Sequence, residues 1–206
     1  MTEIRTATTP TELQEVYRFR YRVYVEEMGR AGYYADHQRK MLTDPLDETG
    51  VILAAWDEGR IVGTIRGNSA AQSDLGYNVA LCQMKQAGHF YPRHTSLTTK
   101  LMIDKAYRQS TLPIRMVIAN YRLGRKNGVE FNFHSCPEQT IPLYNRLGFR
   151  QLQADAENPE YGSTTTMILC LSDVDYFRQI KSPLWREAKK YPVNHNAVNY
   201  YYQHFH

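Results

Sequence analysis

The sequence predicts a mixed α/β (α+β) protein: one central sheet of mixed strand direction, helices on both of its faces, and an aromatic, helical C-terminal extension. Three observations carry this prediction. The elements read in the order strand, helix, helix, a run of strands, helix, strand, helix, strand, strand, which one sheet with packed helices satisfies. Apolar residues recur at helical spacing in some segments and alternate in others. Residues 172–206 differ in composition: they are interrupted by Pro183 and Pro192 and carry Tyr200, Tyr201, Tyr202 and Phe205, which water alone does not solvate well. The expected division is therefore a domain over 1–171 and an extension over 172–206 that packs on it or on a partner subunit.

Each element has a local reason. Glu3 to Ala7 reads as a short strand. Thr9-Pro10-Thr11-Glu12 opens a helix, with Thr9 as N-cap, Pro10 in the first turn and Glu12 closing a capping box. That helix is expected to run to about Gly29. Tyr33 to Leu42 is read as a short second helix, and Asp44-Pro45-Leu46-Asp47 as a turn. Val51 to Asp57 and Arg60 to Asn68 are strands joined by Glu58-Gly59, a hairpin signal. Asn78 to Gln86 is read as a helix and Gly88 to His94 as a loop. Leu97 to Asp104 is a strand, and a loop from Ala106 leads into a helix over Ile114 to Lys126, stopped by Asn127-Gly128. Val129 to Ser135 is a strand with Val129, Phe131, Phe133 and Ser135 on one face and Glu130, Asn132 and His134 on the other. Ser135-Cys136-Pro137-Glu138 is expected to cap a helix that ends at Gly148. Phe149 to Gln153 and Thr165 to Leu171 are the last two strands.

The 206-residue chain is 22% charged and 42% hydrophobic, as a globular protein is. It has no apolar run near the ~20 residues of a membrane span. Its start shows no signal-peptide pattern. Cys82, Cys136 and Cys170 form no disulfide framework and no metal-ligand set. The expectation is a cytoplasmic, reduced protein without a metal. The net charge of +4 is too mild for nucleic-acid binding, and no Lys/Arg block or nucleic-acid motif is present. It suits an acidic partner met through a basic patch, either Arg18, Arg20, Arg22, Arg39 and Lys40 or Arg122, Arg125 and Lys126.

The first helix carries an anomaly. Leu13, Val16, Tyr17, Arg20, Val23, Tyr24 and Met28 fall on one apolar stripe, with Arg20 in its middle. A guanidinium facing the core must find a carboxylate or a ligand, because an unpaired buried charge costs several kcal/mol.

Two segments then resemble a known family. Leu97 to Gln153 is similar to the acyl-binding half of the GNAT acyltransferase fold: the strand Leu101-Met102-Ile103-Asp104, and Ile141-Pro142-Leu143-Tyr144-Asn145-Arg146-Leu147-Gly148-Phe149, with its tyrosine four residues before Gly-Phe. Arg20 to Gly29, Asp44-Pro45-Leu46-Asp47 and Gly63-Thr64-Ile65-Arg66 resemble the acyl-homoserine-lactone synthases, GNAT-fold enzymes fed by acyl carrier protein. The resemblance covers most of residues 13–153. It departs at three positions: Arg30 replaces a tryptophan, and Leu42 and Leu97 replace acidic residues, which tells against a site for S-adenosylmethionine. The chain most resembles the long-chain N-acyl amino acid synthases, N-acyltyrosine synthase among them.

That resemblance implies a GNAT-like fold and an N-acyltransferase with no bound cofactor. The co-substrate would be an acyl-phosphopantetheine thioester on an acidic acyl carrier protein, and the acceptor an amino acid, tyrosine by the resemblance. It implies Tyr144 as the acid that protonates the thiolate, and the backbone at Met102 as oxyanion donor. His134 or Glu130, acting through water, is the base. The family's helix aromatic maps onto Tyr24, and its charged cluster onto Arg20, Asp44, Asp47 and Arg66. Thr99 and Lys100 stand beside it, and Arg20, Arg66 and Lys100 are the candidates for the acceptor carboxylate. Leu101, Ile103, Phe131 and Phe133 are available for an acyl slot. Each has a plainer reading beside it: Tyr144 as a packed helix aromatic, His134 as a structural strand residue, the cluster as an ion network tying helix to sheet.

Arg108, Ser110 and Thr111 belong to the loop for the phosphopantetheine arm. CoA-dependent GNAT proteins carry Gln/Arg-x-x-Gly-x-Gly/Ala here, so that backbone N–H groups can wrap a diphosphate. Thr111 and Pro113 occupy the small-residue positions in this chain, and Pro113 has no N–H. This favours a carrier-protein donor. The alternatives are an acyl-homoserine-lactone synthase, an ordinary acyl-CoA N-acetyltransferase and a non-catalytic acyl-ligand sensor.

Overall fold

The computed structural model describes residues 2–30, 32–160 and 162–205. Strands are β1 Glu3–Thr6, β2 Ala35–Asp36, β3 Met41–Leu42, β4 Val51–Asp57, β5 Arg60–Ser69, β6 Thr95–Ile103, β7 Phe131–Cys136, β8 Arg150–Asn158 and β9 Gly162–Cys170. Helices are α1 Pro10–Tyr21, α2 Asn78–Leu81, α3 Leu112–Lys126, α4 Ile141–Leu147, α5 Val174–Gln179, α6 Trp185–Ala188 and α7 His195–His204. A seven-stranded sheet has the order β1-β4-β5-β6-β7-β9-β8, and β2 pairs with β3 apart from it. The mixed direction is real: β6 and β7 run parallel, while β1 with β4, β4 with β5, β7 with β9 and β8 with β9 are antiparallel. The chain forms two compact units, one of residues 1–67 and 99–120, the other of 68–98 and 121–206.

In the first unit Thr9 caps α1 through the predicted reciprocal bonds with Glu12. The helix does not run on unchanged to Gly29. From Arg22 to Glu27 it widens into a π-helix, and the Met28 amide reaches back five residues to Val23. The extra residue per turn rotates everything beyond it. Val16, Arg20, Val23 and Tyr24 stay buried, while Met28 is turned out to 47% exposure. The predicted helix over Tyr33 to Leu42 is instead the β2–β3 hairpin. Glu58 and Gly59 make the β4–β5 turn, both with positive φ, as a tight hairpin requires.

In the second unit α2 is a single turn followed by a 3-10 segment, Met84–Phe90, in place of one longer helix. Strand β7 continues through Cys136, so the predicted capping box at Ser135 does not form; Pro137 leads into a 3-10 turn, Glu138–Thr140, and then α4. Strands β8 and β9 are longer than the apolar pattern showed, because their outer halves alternate with polar residues. One face of β7 is covered by the end of the chain. Phe131 stacks on Tyr201 at 6.3 Å and meets Phe90 edge-on at 5.0 Å, and Phe133 meets Phe205 at 6.4 Å. The Tyr200 hydroxyl donates to the Gln86 carbonyl.

Gly148 closes α4 at φ 107°, and a Cβ there would lie 2.7 Å from Phe177. Gly148→Ala is expected to lower stability by about 2–4 kcal/mol, from positive φ and overpacking together. Urea unfolding followed by circular dichroism measures it; an unchanged midpoint contradicts this account of the turn.

Candidate active site

The first unit gathers the charges singled out above. Asp44 and Asp47 bracket a single 3-10 turn, Pro45–Asp47, in which each carboxylate also accepts a backbone amide of the turn: Leu46 N–H to Asp44 and Asp44 N–H to Asp47. Arg66, on β5, donates to Asp44 Oδ1 at 2.6 Å, Asp44 Oδ2 at 3.1 Å and Asp47 Oδ1 at 2.7 Å. Its Nε donates to Thr99 Oγ1 at 3.0 Å. Lys100 Nζ lies 3.0 Å from Asp44 Oδ2. Arg20 Nη1 donates to Asp47 Oδ1 at 2.7 Å. Arg20, Asp44, Asp47, Arg66, Thr99 and Lys100 are thus one cluster, and its charged side chains are at most 5% exposed.

Burial alone raises the Asp44 carboxyl, but Lys100 and Arg66 outweigh it and hold the group at about 2. Burial disfavours the Arg66 charge, and Asp47 and Asp44 more than restore it. Burial and then Asp47 push the Tyr17 phenol up; its ring lies 5.8 Å from the Arg20 guanidinium. Arg20 is only partly satisfied. Its Nε and Nη2 are buried and, among the described residues, have no acceptor. These two nitrogens form the lateral fork of a guanidinium, the edge that matches a carboxylate bidentately.

Gly50 belongs to this site and was missed in the sequence. A Cβ on it would lie 2.7 Å from Arg66 Cδ and 2.7 Å from the Leu46 carbonyl. The residue is glycine because Arg66 passes against its backbone, and a glycine near a turn carries no sequence mark of that. Tyr24 sits buried on the π-helix beneath Arg30, whose guanidinium is 5.4 Å from the ring. Leu42 and Leu97, where lactone synthases are acidic, are buried apolar residues on β3 and β6. Lys100 adopts φ 55° inside β6, an irregularity two residues before Met102. Met102 and Ile103 are buried and Leu101 is half-buried.

The loop before α3 does not form a diphosphate cradle. Arg108 is tied by Nη1 to Glu27 at 2.5 Å and by Nε to the Ile103 carbonyl at 3.0 Å. Ser110 Oγ accepts the Leu112 amide and donates to the Tyr107 carbonyl. Thr111 is exposed. With the Leu112 N–H taken and Pro113 lacking one, two of the helix's first donors are removed from any anion.

The second unit holds the proton-handling candidates. β6 and β7 pair from Thr95↔Phe131 to Thr98↔His134. At that last pair His134 Nδ1 lies 2.9 Å from the Thr98 carbonyl. A carbonyl only accepts, so Nδ1 carries the proton and Nε2 is a bare acceptor; it is buried and, among the described residues, unpartnered. Burial pulls this imidazole down to about 4, against a small opposing effect of the Thr98 bond. The Tyr144 ring lies on it, centroids 4.2 Å apart, and Phe149 meets Tyr144 at 5.2 Å. Burial, then Cys136, drives the Tyr144 phenol up, so it is a proton donor throughout the neutral range.

Three sequence-based assignments give way here. The Glu130 carboxylate is held by Arg125 at 3.2 Å, Ser172 at 2.6 Å and Asn194 at 3.2 Å. It is a strut between α3 and the tail and has no freedom to act as base. Phe131 and Phe133, at 0% exposure, pack against Tyr201 and Phe205, so among the described residues their face carries no open acyl slot.

The same architecture occurs in solved acyltransferase structures. FeeM, an N-acyl amino acid synthase from uncultured soil microbes, superposes with a TM-score of 0.67 at 16% identity, over 91% of this chain and 98% of that one. BjaI, a CoA-dependent acyl-homoserine lactone synthase solved with SAM and isopentyl-CoA, gives 0.66 at 18%, over 89% and 90%. ElaA of Escherichia coli gives 0.59 at 13%, over 82% and 99%. These likenesses establish the GNAT-like acyltransferase fold. No curated protein matches the sequence. The family profile described as N-acyl amino acid synthase FeeM matches residues 15–172. The chain belongs to that family, and it is an N-acyltransferase.

The buried neutral His134 gives a pH signature. Its folded pKa of about 4 lies below the ordinary 6.5. Its contribution is complete above 6.5 and is lost as pH falls toward 4, by up to about 3 kcal/mol. Unfolding free energies of wild type and His134→Asn between pH 7 and 4 test this. The variant is expected to lose less stability on acidification; parallel curves contradict it.

Proposed function

We propose that this N-acyltransferase moves a long-chain acyl group from an acyl carrier protein to the α-amine of a free amino acid, tyrosine by its resemblance to N-acyltyrosine synthase. The observation that carries the acceptor class is the empty lateral fork of Arg20. Two buried donors without acceptors cost about 1–3 kcal/mol each, and a carboxylate from the acceptor satisfies both. Asp47 holds the Arg20 guanidinium through Nη1 at 2.7 Å, which fixes its direction before the ligand arrives. The donor class is supported by the α3 loop: Arg108 is spent on Glu27 and the Ile103 carbonyl, and Pro113 gives no N–H. A phosphopantetheine arm without an adenosine diphosphate asks for less. The three buried, free cysteines are compatible with a reduced, cytoplasmic setting.

In this reading the amine nitrogen attacks the thioester carbonyl and the C–S bond breaks. His134 Nε2, the bare acceptor, receives the amine proton directly or through water. Tyr144 supplies a proton to the departing thiolate. Leu101 and Ile103 are the remaining residues for the start of the acyl slot.

The test is incubation with long-chain acyl-acyl carrier protein and each amino acid in turn, with N-acyl products read by mass spectrometry. N-acyl amino acids are expected, tyrosine foremost. Turnover only with S-adenosylmethionine, or only with acetyl-CoA, overturns the proposal. Arg20→Lys is expected to raise KM for the amino acid about tenfold or more while leaving kcat less affected, because a lysine keeps the charge but loses the fork. Tyr144→Phe is expected to lower kcat by about a hundredfold with an unchanged melting temperature, the scale of general-acid catalysis. Equal kcat removes the tyrosine from the chemistry.

A further inference from the structure

The family match ends at residue 172, and beyond it lies a strongly basic stretch of the second unit. Between Val174 and Lys190 the chain has five cations, Arg178, Lys181, Arg186, Lys189 and Lys190, and two acids, Asp175 and Glu187. Glu187 is buried and already holds Arg122 at 2.7 Å and Lys190 at 2.9 Å. Arg178, Lys181, Arg186 and Lys189 are exposed and, among the described residues, have no carboxylate partner. They surround a half-buried indole. Lys189 Nζ sits 5.1 Å from the Trp185 ring centre. Arg178, Lys181, Ser182, Pro183, Trp185 and Arg186 line a cavity of about 450 Å³. The turn is held rigidly, since Ser182 Oγ donates to the Leu147 carbonyl and accepts the Leu184 amide.

From this arrangement we infer that the α5–α6 turn docks the protein on an anionic phospholipid surface. The cations are on long stems that reach outward, and each adds about a fivefold gain in partitioning near a negatively charged leaflet. Trp185 and Pro183 present an apolar body at the same level, the pairing that membrane interfaces accept and bulk water does not reward. Among the described residues, none that lines the cavity is a buried, unpartnered donor, so it lacks what a site for one small anion needs. An acidic protein would match the charge but gives no reason for the indole at its centre. Among the described residues no helix is long and apolar enough to cross a membrane, so the association is superficial and reversible.

The test uses the full chain and sedimentation with vesicles of phosphatidylcholine alone or of phosphatidylcholine with phosphatidylglycerol. Binding is expected only to the anionic vesicles and is expected to fall as salt rises. The chain has two tryptophans, and Trp56 is buried under Arg5. A blue shift of emission on binding therefore reports Trp185. Single substitutions Arg178→Gln, Lys181→Gln, Arg186→Gln and Lys189→Gln are each expected to weaken binding about fivefold, with unchanged circular dichroism and unchanged acyl transfer in vesicle-free solution. Equal binding to both vesicle types, binding to neither, or binding only to an acidic protein such as acyl carrier protein overturns the proposal.

Discussion

The first unit depends on one interaction, the guanidinium of Arg66 against Asp44 and Asp47. It reaches both carboxylates, and through them Arg20 of α1 and Lys100 of β6. Helix, turn and two strands are therefore positioned by a single planar group. Such a cluster is not a cheap source of stability, because every charge in it has left water. Its effect is to make the arrangement all-or-none. Removing one member leaves its partners buried and unpaired, at about 3–5 kcal/mol, so partial versions of the site are not populated. The backbone of the turn adds to this: Asp44 and Asp47 cap each other before they meet an arginine.

The two units handle charge in opposite ways. In the first, buried groups are ionised and compensated, with Asp44 held near 2 by cations. In the second, burial keeps His134 and Tyr144 neutral. The former suits holding a charged substrate in one direction, and the latter suits moving protons at neutral pH. Glu130 shows the limit of the pattern: it is ionisable and buried, yet it is occupied by Arg125, Ser172 and Asn194 and serves the packing of the tail.

Much of this was legible in the chain. The Thr9 cap, the Glu58-Gly59 hairpin, the Gly148 stop and the Arg20–Asp44–Asp47–Arg66 set are local or charge-balance statements, and such statements survive folding. What failed was non-local or cumulative. A widened helix from Arg22 to Glu27 changes the period itself, so Met28 left the stripe. Tyr33 to Leu42 has no strong periodicity, and pairing of Ala35 with Leu42 decided it. Phe131 and Phe133 carry no mark that tells a core contact from a ligand contact; only the position of Phe205 settles it. Gly50 was silent because its reason is another residue's side chain.

The covering of β7 by α7 has a consequence for how the chain folds as it is made. The strand emerges before α7, and Phe90, ahead of it in the chain, is a partner for Phe131. Tyr201 and Phe205 emerge only later, and until then their contacts with Phe131 and Phe133 are missing. Closing so long a loop is entropically costly before its contacts are rewarded. The contacts of Tyr201 and Phe205 that close this face are therefore the last to be made.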